Sequence, residues 1–62
     1  MAEQLMTYED LADMTQFSVE TLRNWVYLGK GPASYSIGGR RRFRREDVEA
    51  WLEQRREPAP AA

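Results

Sequence analysis

The stretch SVETLRNWVYLG, residues 18–29, decides the fold. Its apolar side chains recur at the i, i+3, i+6, i+7 spacing of one helical face: Val19, Leu22, Trp25 and Val26. Ser18 precedes them as a candidate N-cap, and Gly29 suits the left-handed position that often follows a helix end. The pattern predicts a helix over Val19–Leu28, with a polar face opposite the apolar one.

The segment before this helix predicts a second, shorter one. Thr7 is a candidate N-cap, and Asp10, three residues later, completes an approximate capping box. Apolar side chains then follow at helical spacing, which predicts a helix over Tyr8–Met14. Only residues 15–17 separate the two helices, so the pair predicts a helix-turn-helix. In that motif the exposed face of the second helix is free to enter a DNA major groove.

Two short strands and a third helix are predicted after these helices. Gly31-Pro32 ends the helical region, and the strands Ser34–Ile37 and Arg42–Arg44 flank Gly38-Gly39. Acidic residues then open an amphipathic segment that predicts a helix over Glu46–Arg56.

The length of the glycine loop decides which side chains of the hairpin face the core. A two-residue loop would send Ile37 and Phe43 to different faces and leave one of them exposed. A three-residue loop with one left-handed glycine would place Tyr35, Ile37 and Phe43 together. We therefore expect the three-residue loop, with Arg41 on the face of Phe43. It would direct three arginines largely toward solvent: Arg40, Arg42 and Arg44.

The order helix, turn, helix, hairpin, helix predicts a small α+β fold, a winged helix-turn-helix in which the hairpin is the wing. We expect this domain over residues 7–56, a loose N-terminus over residues 1–6 with Leu5 as its anchor, and a disordered Pro/Ala tail over residues 57–62. The predicted core comprises Leu11, Met14, Phe17, Val19, Leu22, Trp25, Val26, Ile37, Phe43, Val48, Trp51 and Leu52.

Composition excludes several classes of protein. A chain of 62 residues forms one small domain. It has no cysteine and no histidine, so neither a disulfide nor a Cys/His zinc site is available, and we expect no cofactor or metal. We expect no enzyme, because the chain has no histidine or cysteine and no phosphate-cradling motif. No apolar run approaches the ~20 residues of a membrane span, which favours a cytoplasmic protein without a membrane partner.

The formal net charge of −1 conceals a strong segregation of charge along the chain. Residues 1–29 carry a net charge of −4, residues 30–45 carry +6 without any acid, and residues 46–62 carry −3. The local field of the middle segment therefore says more about binding partners than the average charge does. That segment includes the glycine loop, so the wing is the predicted anion-binding element.

Three segments together resemble a known family: MTYEDLADM (residues 6–14), SVETLRNWVYLGKGP (residues 18–32) and IGGRRRFRREDVEAWL (residues 37–52). They resemble the excisionase-type DNA-binding proteins of phages and integrative elements. They also resemble the DNA-binding domain of MerR-type regulators, in which Thr21-Leu22-Arg23 followed by an aromatic near Trp25 is a recurrent pattern. The resemblance covers about residues 5–54.

The resemblance implies sequence-specific binding of double-stranded DNA. Such excisionases bind adjacent sites cooperatively with further copies of themselves, bend DNA and direct an integrase toward excision, and many regulate transcription. The alternative is a small MerR-like regulator; since the chain ends in a Pro/Ala tail, we expect no dimerisation helix and no small-molecule effector. A protein-interaction module, using the acidic faces of the first and third helices, is the remaining alternative.

Two groups of residues are the candidate DNA contacts. On the second helix, the recognition helix of the motif, and at its N-cap they are Ser18, Glu20, Thr21, Arg23, Asn24 and Tyr27. Their side chains suit base edges or phosphates. On the wing and its flanks they are Lys30, Arg40, Arg41, Arg42 and Arg44, which suit phosphates or a narrow minor groove. Two structural alternatives stand beside these roles: Ser18 as a helix cap only, and Arg41 covering Tyr35 or Phe43 with its aliphatic stem.

Overall fold

Three helices and one two-stranded hairpin make up residues 4–60, the part of the chain that the computed structural model describes. The elements are α1 (Tyr8–Thr15), α2 (Val19–Tyr27), β1 (Tyr35–Ile37), β2 (Arg40–Arg42) and α3 (Arg45–Gln54). This arrangement confirms the small α+β fold of a winged helix-turn-helix, with the hairpin as the wing. The ends of the predicted helices shift by one or two residues.

Side-chain caps fix where the first two helices begin. The Thr7 hydroxyl accepts from the Asp10 backbone N–H at 3.1 Å, and the Thr7 N–H donates to the Asp10 carboxylate at 3.0 Å. This reciprocal pair is the predicted capping box. Ser18 caps α2 by accepting from the Thr21 backbone N–H at 3.2 Å. Both N-caps are thereby confirmed, each satisfying backbone donors that the first helical turn leaves free.

A left-handed residue sets the direction of the turn between α1 and α2. Gln16 has φ 66°, which is uncommon for a residue other than glycine. Its backbone N–H donates to the Ala12 carbonyl oxygen at 2.7 Å, and its side-chain amide donates to the Asp13 carbonyl oxygen at 2.8 Å. These bonds satisfy carbonyls at the end of α1 and hold the turn closed.

The hairpin loop has two residues, so the expected three-residue loop was wrong. The register pairs Ile37 with Arg40, Ser36 with Arg41 and Tyr35 with Arg42. Gly38 and Gly39 have φ 57° and 78°, the two positive values that a type I′ turn requires. Glycine at both positions makes this turn accessible, and its twist matches that of the flanking strands.

The two-residue loop separates the apolar residues of the wing. Phe43 is fully buried, whereas Ile37 is 54% exposed on the other face. The strand β2 also begins two residues earlier than predicted, and Phe43 lies just beyond it. There Phe43 forms an antiparallel bridge with Met6: its N–H donates to the Met6 carbonyl at 2.9 Å, and the Met6 N–H donates back at 2.7 Å.

The buried core is smaller than the predicted one. It comprises Met6, Leu11, Leu22, Phe43, Val48 and Trp51. Val19 is half-buried, and packed against the core, also half-buried, are Tyr8, Ala12, Trp25 and Val26. Four predicted core residues are exposed instead: Met14, Phe17, Ile37 and Leu52. Helices of eight and nine residues bury only one side chain each, Leu11 and Leu22, so apolar residues beside that position stay at the surface.

The chain start is anchored by Met6 and not by Leu5, which is 38% exposed. The alternation of side chains in the bridged segment turns Met6 inward, and its backbone bonds to Phe43 hold it there. Residues 1–3 and 61–62 of the two expected terminal segments lie outside the described residues. Residues 57–60 are exposed and form neither helix nor strand, and their disorder stays a prediction.

A shared acceptor ties the end of α2 to α3. The carbonyl oxygen of Lys30 accepts from the Trp51 indole N–H at 2.8 Å and from the Arg55 guanidinium at 2.7 Å. The chain passes close to α2 at this point, since a Cβ on Gly31 would lie 2.7 Å from the Val26 side chain. None of the helices within residues 4–60 has the length and hydrophobicity of a membrane-spanning segment.

We expect Met6→Ala to lower the free energy of unfolding by about 2–5 kcal/mol, because it removes a buried side chain. Leu5→Ala is the matched control and should cost less than about 1 kcal/mol. Urea unfolding followed by tryptophan fluorescence measures both. Equal losses for the two variants would contradict the anchoring by Met6.

Candidate nucleic-acid interface

A polar groove of about 450 Å³ lies where α1, α2 and the wing meet. Its lining residues are Tyr8, Glu9, Arg23, Ser36, Gly39, Arg40, Arg41 and Arg42. We call this the arginine groove, because it brings together four arginines and a single acid. Four of the predicted DNA contacts, from two separate segments of the chain, therefore share one surface.

Tyr8 holds the arginine of α2 beside the wing. The guanidinium of Arg23 lies over the Tyr8 ring, 5.2 Å from its centre, in a cation–π arrangement. The Tyr8 ring in turn meets Phe43 edge to face, with ring centres 5.3 Å apart. Tyr8 of α1 therefore connects Arg23 of α2 to Phe43, the residue that follows β2. Arg23 is exposed and its charge is available at the groove.

The three arginines of β2 differ in exposure and in the hydrogen bonds that their side chains make within the wing. Arg41 is half-buried and donates to the Ser34 hydroxyl at 3.3 Å. Arg42 is half-buried and donates to the Arg41 carbonyl oxygen at 2.8 Å. Arg40 is exposed, and within residues 4–60 its side chain makes no hydrogen bond or ion pair. Arg40 is therefore the most available cation of the wing.

The exposed face of α2 carries most of the predicted recognition residues. Glu20, Asn24 and Tyr27 are exposed, Tyr27 to 86%, on the side of the helix away from the buried Leu22. Thr21 is half-buried at the start of the helix. The polar face predicted for this helix is thus presented to solvent next to Arg23 and the arginine groove.

Ser18 and Thr21 are partly engaged by each other. The Ser18 hydroxyl donates to the Thr21 hydroxyl at 2.9 Å while it accepts from the Thr21 backbone N–H. The cap is therefore the structural role of Ser18. Both residues remain at the N-terminal end of α2, where backbone N–H groups and the helix dipole favour anions.

The two predicted contacts that flank the wing, Lys30 and Arg44, do not line the arginine groove. Arg44 occupies the N-cap position of α3 and forms an ion pair with Glu46 at 2.5 Å. Lys30 borders a different, largely apolar groove of about 350 Å³ between the helices. This second groove, the aromatic groove, is lined by Thr15, Phe17, Trp25, Lys30, Trp51, Leu52 and Arg55. Neither Lys30 nor Arg44 joins the four clustered arginines.

Sequence reasoning missed several residues that line the arginine groove: Tyr8, Glu9, Ser36 and Gly39. Tyr8 had a helical spacing typical of a core residue, and its half-buried ring does pack on Phe43. Its second role, under Arg23, depends on how α1 packs against α2. No local pattern marks such a contact, because the two residues lie on different helices.

The groove is suited to an extended polyanion. Guanidinium groups donate in a planar fork that matches phosphate oxygens, and four of them in one concave surface reinforce each other's field. Glu9 is the only acid in the lining. Within residues 4–60, no group of three or more acidic side chains could hold a metal ion. The four arginines make this groove a candidate anion-binding surface.

A family model described as a helix-turn-helix domain matches residues 5–56, which include all five elements of the fold. The family consists of small DNA-binding domains and includes excisionase-like proteins. No curated protein and no solved structure matches the chain significantly. Proteins of this family are typically not enzymes, and membership supports DNA as the partner and indicates sequence-specific binding. Because the match spans most of its length, the chain belongs to this helix-turn-helix domain family.

Proposed function

We propose that this protein is an excisionase, a recombination directionality factor of a phage or integrative element. It binds a specific double-stranded site, binds next to further copies of itself, bends the DNA and directs an integrase toward excision. The observation that carries the DNA-binding part is the arginine groove, which joins the exposed face of α2 to the wing. The excision part is supported by the sequence segments that resemble excisionases.

In this proposal α2 enters the major groove with its exposed face. Asn24 can pair with adenine, Arg23 can contact guanine or phosphate, and Glu20 can accept from a cytosine amine. Tyr27 lies on the same exposed face and can contact the DNA backbone. Ser18 and Thr21 then meet a phosphate at the N-terminal end of the helix.

The wing contacts the DNA beside the major groove. Arg40, Arg41 and Arg42 contribute phosphate contacts or enter a narrow minor groove, where the negative potential favours arginine. Lys30 and Arg44 are proposed as flanking phosphate contacts. Arg44 would have to exchange its ion pair with Glu46 for one with phosphate.

The protein contacts of the proposal rest on the resemblance. Cooperative binding requires contact with an adjacent copy, and excision requires contact with an integrase. Asp13 of α1 and Glu49 of α3 are exposed and do not line the arginine groove, so they are available to a basic partner surface. These contacts would add to the DNA-binding function and not replace it.

A small MerR-like transcriptional regulator is the second candidate, favoured by the Thr21-Leu22-Arg23 pattern on α2. Selection of bound duplexes from a random pool, followed by a bending assay on the selected site, separates the two. The excisionase proposal is supported if the protein bends the selected DNA and if that site occurs in adjacent copies at an attachment region next to an integrase gene. A single site overlapping a promoter and lacking those features would overturn it. Failure to select any sequence would overturn sequence-specific binding itself.

We expect the variant Arg40→Ala/Arg41→Ala/Arg42→Ala to lose most of its affinity for the selected site. Each phosphate contact removed should reduce the magnitude of the negative slope of log K against log salt by about 0.9. Arg56→Ala, which removes an exposed arginine just beyond the end of α3, is the control and should leave the slope unchanged. Titration at several salt concentrations measures both. Native-like binding by the triple variant would show that the wing is not the contact.

Substitutions of Ser18 separate its cap from its proposed phosphate contact. Ser18→Ala should lower the free energy of unfolding by about 1 kcal/mol, because the cap is lost. Ser18→Asp keeps a capping oxygen and should fold as stably as the native protein, but its charge should repel phosphate and weaken binding at least several-fold.

Gln54→Glu, which adds the same charge on α3, is the control for Ser18→Asp and should bind DNA almost as the native protein does. Urea unfolding and DNA titration give the two readouts for each variant. Native affinity in Ser18→Asp would leave Ser18 with the cap as its only role.

A further inference from the structure

Ile37 is an exposed apolar residue next to the glycine turn of the wing. It is the last residue of β1, directly before the glycine turn, and is 54% exposed, although isoleucine is among the residues most often buried. The two-residue loop turns Ile37 to the face opposite Phe43, so its side chain contributes nothing to the core. Burial in the core therefore does not account for its hydrophobic character.

The neighbours of Ile37 form a mixed apolar and cationic face. Residues paired directly across an antiparallel hairpin lie on the same face, as do alternate residues of one strand. Ile37 therefore shares its face with Arg40 opposite it, with Tyr35 two residues back, and with Arg42 opposite Tyr35. Tyr35 is also exposed. One face of the wing thus pairs two apolar side chains with two arginines.

The end of the wing beyond this face is narrow. Gly38 and Gly39 carry no side chains, and nothing lies within 4 Å of the position a Cβ would take on either. Ile37 and Arg40 are consequently the first side chains behind the tip. A hairpin end of this kind suits the minor groove of B-DNA, which is only about 6 Å wide.

We propose that Ile37 is a specificity residue that packs into the minor groove of the bound DNA beside Arg40. Its side chain contacts deoxyribose edges and the groove floor, where the N2 amino group of guanine would obstruct it and be left without a partner. Ile37 thereby favours an A·T pair at the base step facing the wing. The inference rests on the proposed DNA binding and adds an apolar contribution that the arginines do not supply.

Affinity and salt dependence of Ile37→Ser provide the first test. We expect affinity for the selected site to fall roughly tenfold, because apolar surface is no longer removed from water. The salt slope should not change, because no phosphate contact is lost. Thermal stability should stay native, since the residue is exposed. Met14→Ser, an exposed apolar residue of α1, is the matched control and should bind as the native protein does.

Base substitution in the DNA provides the second test. Replacing the A·T pair facing the wing by G·C should weaken binding of the native protein. Replacing it by inosine·C, which lacks the minor-groove amino group, should restore binding. Ile37→Ser should respond much less to either change. Equal discrimination by the native protein and the variant would overturn the assignment.

The outcomes distinguish this inference from the proposed function. Absence of DNA binding by the native protein would overturn both. Binding that requires Arg40, Arg41 and Arg42 but is unaffected by Ile37→Ser would overturn only the role of Ile37. A loss of cooperativity in Ile37→Ser with unchanged affinity for a single site would also overturn it, because Ile37 would then contact a neighbouring protein.

Discussion

The burial of Phe43 is the constraint on which the other contacts depend. Its side chain is fully buried, its backbone exchanges two hydrogen bonds with Met6, and its ring meets Tyr8. One residue therefore fixes the chain start, the wing and α1 relative to each other. Since Tyr8 lies beneath Arg23, the position of the α2 arginine next to the wing arginines follows from the same packing. The geometry of the arginine groove therefore depends on the packing of the core.

The features that the sequence predicted correctly have their causes within a few residues. Thr7 and Asp10 form their capping box across one helical turn, and Ser18 caps α2 in the same way. The apolar spacing that begins at Val19 and the positive φ of Gly29 set the extent of α2. The order of elements, and the concentration of positive charge in the middle segment, follow from such local patterns. They were sufficient for the fold class.

The features that sequence reasoning missed depend on partners far along the chain. The three-residue loop was predicted on the assumption that Ile37 and Phe43 both lie in the core. In the structure Phe43 is buried and bonded to the Met6 backbone, whereas Ile37 is exposed. Arg44 was assigned to the wing, yet the start of α3 places it beside Glu46. The contact of Tyr8 with Arg23 likewise requires the packed pair of helices. The DNA contacts themselves remain predictions.

The bridge between positions 6 and 43 also has a consequence for the order in which the molecule assembles. α1 and α2 are joined by a short turn and can form early, whereas the bridge must close a loop that includes both helices and both strands of the hairpin. We expect the chain start and the base of the wing to become ordered together in a late step. Local opening of one would release the other, so the wing behaves as an integral part of the domain and not as an independent flap.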